Sequence, residues 1–386
     1  MIIKIILSFL LPNLLFSSDI PFGHPHGPSI QGVDNVMNTI LSDDYNLEIL
    51  MSFANHKKGA AGHLALSVRK PQSHIETVYS ANFYADRQAE HDQGYYTEEL
   101  IMAIPKKEYL YGVQSSVSKH AKFGLDFGEL FKRSVIGIRV YGLNDAQITG
   151  IEEFYQRINQ DYKNRASNTE YQRGEVVYDY MNLNCAKSVA QALKYGAGLH
   201  EIAVRGNHIL GNMPYAKALF AHTPTETTMQ ILKVLHKFGA HFDVILYKRS
   251  EDSTYQNDDP PMAFKELANR FPSVKSLDFF NGSTAYEDYD NLLAMNLFFQ
   301  MGKYSFEIPK GSQRVVLEKQ KSPIPYDVAM DIAKEAASED SKNALRRMVR
   351  LLGLKLTADN DNSDLYDPAV ANNRAELFEL LYSETL

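Results

Sequence analysis

Tyr178-Asp-Tyr-Met-Asn-Leu-Asn-Cys-Ala-Lys-Ser-Val-Ala-Gln-Ala-Leu193 is the segment on which the reading of the fold turns. An extended run, Gly174 to Tyr180, leads into a polar turn. Asn184 then caps a helix that begins at Cys185 and turns Val189 and Leu193 inward. Cys185 is the single cysteine among 386 residues. Backbone N–H groups at a helix start carry roughly half a positive charge, which favours thiolate over thiol. They can also donate to the oxyanion that forms when sulfur attacks a carbonyl. A free cysteine that only fills space has no reason to prefer this position. Cys185 therefore reads as a nucleophile.

A thiol working near neutral pH needs a general base, and twelve histidines compete for that part. His63 is the best placed. Gly59-Ala-Ala-Gly-His63 runs from a small-residue turn straight into a strand, Gly62 to Lys70, and Gly62 leaves room for a substrate to approach. In that strand His63, Ala65, Ser67 and Arg69 share one face, and Leu64, Leu66 and Val68 share the other. Leu47 to Ala54, Ile75 to Phe83, Glu108 to Gln114, Ser134 to Tyr141 and His241 to Tyr247 also read as strands. Asn144 caps a helix with Ile148, Ile151, Tyr155 and Ile158 on one side. Thr223-Pro-Thr-Glu226 opens another, which ends near Phe238.

Beyond the polar, Pro-terminated stretch from Ser250 to Pro261 the signals are mostly helical. They include Tyr326 to Ala337, Ser341 to Leu352 and a last helix from Asp367. The layout is α+β, with a catalytic domain over residues 19–250 and a mostly helical C-terminal region over 251–386.

Other groupings of chemical residues are weaker. A helix end separates His236 from His241 and Asp243, and nothing there supports a metal site. His24 and His26 lie in a Pro- and Gly-rich arm. Asp359-Asn-Asp-Asn-Ser-Asp364 lacks the glycine and the closing glutamate of a calcium loop. No Gly-rich phosphate loop or serine elbow is present. The reading needs neither metal nor cofactor.

The order of these segments resembles a known family. Gly62-His-Leu-Ala-Leu-Ser-Val68 is followed by Val78-Tyr-Ser-Ala-Asn-Phe83, Tyr109-Leu-Tyr-Gly112 and the strand after Arg133-Ser134. Then come Leu143-Asn-Asp-Ala-Gln147, Tyr178-Asp-Tyr180 and Asn184-Cys185. Over roughly residues 45 to 250 this is similar to the Lnb-type N-terminal periplasmic domain family, a circular permutation of the NlpC/P60 and papain-like fold. The resemblance implies an antiparallel sheet packed with helices, Cys185 as nucleophile and His63 as its base. It also implies a residue on the next strand that orients the imidazole, for which Tyr79 and Asn82 are the candidates. A neutral group suffices there, because a thiolate–imidazolium pair needs less support than a serine. Asn184 has two uses open to it, capping the helix or polarising a substrate carbonyl.

Composition narrows the partners. The chain is 44% hydrophobic and 23% charged, with a net charge of −7 and no sizeable basic run. Such a chain is ill suited to phosphate backbones, so nucleic acid is not an expected partner. Lys4, the apolar run from Ile5 to Phe16 and then Ser17-Ser18-Asp19 have the layout of a signal peptide over residues 1–18. Export to the periplasm or the medium follows, and an exported chain with one cysteine needs a reason to keep it. The expected activity is that of a thiol hydrolase or acyltransferase acting on an amide or ester of a peptide, peptidoglycan or acyl-lipid substrate. The C-terminal region is the candidate contact with membrane lipid or a protein partner. The alternative is a non-catalytic secreted binding or effector protein on the same fold.

Overall fold

The structure, a computed structural model, describes residues 43–52, 62–70, 76–82, 85, 98–111, 135–170, 174–179, 182–204, 224–247, 289–307, 316–319 and 324–351. The expected signal peptide, the polar stretch from Ser250 to Pro261, the Asp359–Asp364 stretch and the last helix lie outside these residues, as does Thr223.

Eight strands form one sheet in the order β4-β3-β2-β1-β5-β6-β7-β8. They are β1 (Leu47–Ser52), β2 (His63–Arg69), β3 (Glu76–Ala81), β4 (Ile101–Pro105), β5 (Val135–Tyr141), β6 (His241–Tyr247), β7 (Gly302–Glu307) and β8 (Val316–Lys319). Among the described residues six α-helices accompany them: α1 (Lys106–Tyr111), α2 (Asp145–Lys163), α3 (Cys185–Gln191), α4 (Pro224–Lys237), α5 (Tyr289–Gln300) and α6 (Tyr326–Leu351).

Strand alternation sorts the sheet into two faces. On one, Leu64, Leu66 and Val68 join Leu47, Ile49, Ile136 and Ile138 in a continuous core with α2, α3, α4 and α5. The other face carries Glu48, Ser67, Glu76 and Arg139, all buried. The Asn144 cap is present in full. Its side chain accepts from Gln147 N–H, and the Gln147 side chain accepts from Asn144 N–H. No described helix is long and apolar enough to cross a membrane.

Three features bear on the expectations. The ladders from β4 through β6 are all antiparallel, and the whole sheet is mixed because β6 pairs with β7, beyond residue 250, in parallel. The connection between them contains α5, and a crossover of that length permits parallel pairing. Of the expected strand from Glu108 to Gln114, the described residues up to Tyr111 are helical, in Lys106–Tyr111, and the strand lies just before them at Ile101–Pro105. Asn159 on α2 donates to the Ile101 carbonyl and accepts its N–H, which satisfies the backbone of this edge strand from outside the ladder. Finally, described residues on both sides of position 250 share one sheet and one core. β7 and β8 extend the same sheet, and Met295, Leu297 and Phe298 of α5 lie in the same core.

Candidate active site around Cys185 and His63

A tight turn delivers Cys185. Asp179 and Leu183 exchange backbone hydrogen bonds at 3.0 and 2.9 Å, and Asp179 Oδ1 accepts from Asn182 N–H at 2.6 Å. The chain then enters α3 at Cys185. Asn184 is extended, and its Oδ1 accepts from Lys187 N–H at 2.8 Å, which satisfies one of the donors a helix start leaves over. Ser188 Oγ donates to the Cys185 carbonyl at 2.8 Å. Every residue of α3 is buried, and Cys185 itself is 8% exposed. Burial pushes the Lys187 amine below its usual range, against the pull of Asp179. A single π-helical turn, Ala192–Gly196, continues α3. The helix packs on β2, β3 and α4.

His63 is the first residue of β2. Gly62 before it has φ +95°, a conformation that L side chains rarely adopt, so the turn into the strand requires glycine. The imidazole is 1% exposed, and its Nε2 lies 2.8 Å from Ser80 Oγ on β3, itself 2% exposed. Ser80, a residue the sequence did not single out, makes this contact with the ring.

Tyr79 points to the opposite face of the sheet. There its hydroxyl donates to Glu152 Oε1 on α2 at 3.1 Å, and its ring stacks on Tyr155 at 5.0 Å. Burial and the Glu152 carboxylate raise its phenol above the ordinary range. The expectation that Tyr79 orients the imidazole is therefore corrected by alternation along β3. Asn82 shares the Ser80 face and is fully buried, with Nδ2 donating to the Glu99 carbonyl at 3.2 Å. Its backbone N–H donates to Leu100 at 2.7 Å, so Asn82 secures the approach to β4.

The alternation also constrains the pair of greatest interest. α3 lies on the Leu64–Leu66 side of β2, whereas His63 follows Ala65 and Ser67 to the other side. A thiol carried by α3 can meet the imidazole only around the end of β2, at Gly62, and not through the strand.

The polar face holds a cluster the sequence did not announce. Lys106, at the start of α1, donates to Glu48 and, at 2.9 Å, to Glu76 Oε1, and all three side chains are buried. Ser67 Oγ and Tyr45 donate to the two oxygens of Glu76, and Tyr247 donates to Glu48 at 2.9 Å. Gly137 makes room, because a Cβ there would collide with Glu48 and Tyr247. Arg139 pairs with Asp43 and stacks over Tyr45 at 4.4 Å. Burial opposes its charge, and Glu48 holds its pKa above the usual range. Buried charges persist only when paired in this way.

His236 faces Asp327 at 2.9 Å, and Asp243 accepts from Tyr141 at 2.7 Å. Among the described residues no group of three His, Cys, Asp or Glu side chains could hold a metal ion. Compared with known proteins, the chain matches no family model, no curated protein and no solved structure.

Proposed function

We propose that the chain is an exported thiol hydrolase or acyltransferase on a permuted papain-like fold, with Cys185 as nucleophile and His63 as base. His63 takes the thiol proton, and sulfur attacks the carbonyl carbon of an amide or ester. The tetrahedral oxyanion collapses and expels the amine or alcohol, which leaves with the proton held by the imidazolium. The acyl-thioester at Cys185 then passes its acyl group to water or an amine. Peptides, peptidoglycan stems and acyl lipids are the substrate classes that offer such carbonyls outside the cytoplasm. One observation carries the reading. The single thiol starts an Asn184-capped, buried helix that packs on the strand headed by His63.

The rival reading is a binding or effector protein with an incidental thiol. It is favoured by the apolar surroundings of Cys185 and by the sheet faces that carry thiol and imidazole.

Alkylation decides between them. A thiol at a helix start that shares its proton with an imidazole ionises well below the value of about 8.5 for a free cysteine. The wild type should therefore react with iodoacetamide near pH 6, and His63→Ala should move the profile back toward that of an ordinary thiol. Cys185→Ser is the blank. A flat, unreactive wild-type profile between pH 5 and 9 would sink the thiol-enzyme reading.

A further inference from the structure

We propose that Ser80 is a positioning residue for His63, accepting a hydrogen bond from Nε2–H and so assigning the proton-accepting role to Nδ1. This rests on the thiol reading given above.

The argument begins with burial. Ring and hydroxyl are 1% and 2% exposed, so bulk water does not compete for the contact at 2.8 Å. In a neutral imidazole one nitrogen carries the proton and the other accepts, and the partner of one nitrogen settles the role of the other. A hydroxyl can serve either tautomer. The imidazolium formed during turnover, however, carries hydrogen on both nitrogens, and only an accepting oxygen at Nε2 suits it. If Ser80 accepts throughout the cycle, one proton at a time passes through Nδ1, from sulfur to the leaving amine or alcohol, and Nε2–H never leaves its partner. Ser80 then supports the charged ring without becoming charged itself. On the same face Lys106 engages Glu48 and Glu76, and Ser67, two residues from Ala65, serves Glu76.

The place of Ser80 fits such a role better than that of its neighbours. β3 alternates, so Ser80 shares a face with His63 while Tyr79 and Ala81 turn toward α2 and the core. The regular ladders of β1 with β2 and of β3 with β4 fix both strands, which leaves the hydroxyl little freedom to move from the ring.

Two measurements on the full chain test this. The first is long-range ¹H–¹⁵N correlation of histidine-labelled protein, with His63 assigned by its loss in His63→Gln. The neutral ring should be the Nε2–H tautomer, and an Nδ1–H tautomer would overturn the proposal. The second is the alkylation profile of Ser80→Ala and Ser80→Thr. Losing an acceptor for a charged donor should slow wild-type alkylation near pH 6 by roughly tenfold or more and displace the profile to higher pH. Threonine, which keeps the hydroxyl, should restore it. A Ser80→Ala profile that superposes on wild type, while His63→Ala abolishes the low-pH reaction, removes Ser80 and leaves the thiol reading standing. A wild-type profile that is flat and indifferent to His63 removes both.

Discussion

Asn184 caps the helix that Cys185 begins. Its Oδ1 takes Lys187 N–H, so its oxygen is committed to the cap, and any contact with a substrate carbonyl falls to Nδ2. The two uses separate by substitution. Asn184→Ala should lower stability by about 1 kcal/mol, the usual cost of a lost cap, as read by urea denaturation. Asn184→Asp should keep the cap and its stability, yet set a carboxylate beside the thiol and displace Cys185 alkylation to higher pH. If Asn184→Asp alkylates as wild type does, the thiol is not in electrostatic reach of its own cap. At this scale the sequence was partly legible. A glycine before a strand and an asparagine before a helix are local signals, and they located His63 and Cys185. Ser80 was not legible, because its contact with His63 depends on how β3 sits against β2. Tyr79 was a candidate because the resemblance implies an orienting residue on the next strand, although its parity sends it to α2.

α2 and the π-helical turn after α3 cross where both have glycine. A Cβ on Gly150 would strike the Gly196 carbonyl oxygen, and one on Gly196 would come within 2.6 Å of the Gly150 oxygen. Backbone meets backbone there, and nothing flexible can give way. Gly150→Ala should therefore destabilise the protein despite alanine's better helix propensity. Overpacking costs about 1–3 kcal/mol, against roughly 1 kcal/mol gained in the helix. A midpoint at or above wild type in thermal denaturation would show that the crossing can open. The same helix shows which elements a sequence reveals. The Asn144–Gln147 capping box and the apolar stripe through Ile148, Ile151 and Ile158 were visible, because cap and stripe are internal to the element. β4 was not. It is five residues long, ends at Pro105, and owes part of its backbone bonding to Asn159, which is 58 residues away from Ile101. β7 was hidden for a similar reason, since a parallel partner is set by a crossover rather than by a turn.

At the scale of the whole molecule, Lys303 on β7 joins parts of the chain that composition had separated. Its amine lies 3.1 Å from Asp43, just before β1, and 3.0 Å from Asp243 on β6. A residue beyond the polar stretch near 250 thus ties the late strands to both the first strand and the sixth. Burial alone would raise the Asp43 carboxyl, but Lys303 and Arg139 together hold it below its usual value. Lys303 is held above its own usual range, burial notwithstanding, by the same two carboxylates. The sign of the pH effect follows. A carboxyl whose folded pKa is depressed adds stability that is present above its unfolded value near 4, and this is lost as pH falls through the folded value. Lys303→Ala should accordingly lower stability at pH 7 and make progressively less difference as pH falls below about 4 toward the lower folded value, beneath which Asp43 is protonated in both states. The groups are partly exposed, so the neutral-pH loss should be no more than about 1 kcal/mol and should shrink in high salt. Urea denaturation of wild type and Lys303→Ala at pH 7 and pH 3 measures the difference. A loss of equal size at both pH values would mean that Lys303 stabilises the sheet by packing its stem against Tyr304, and that the bridge between the two halves of the chain is not electrostatic.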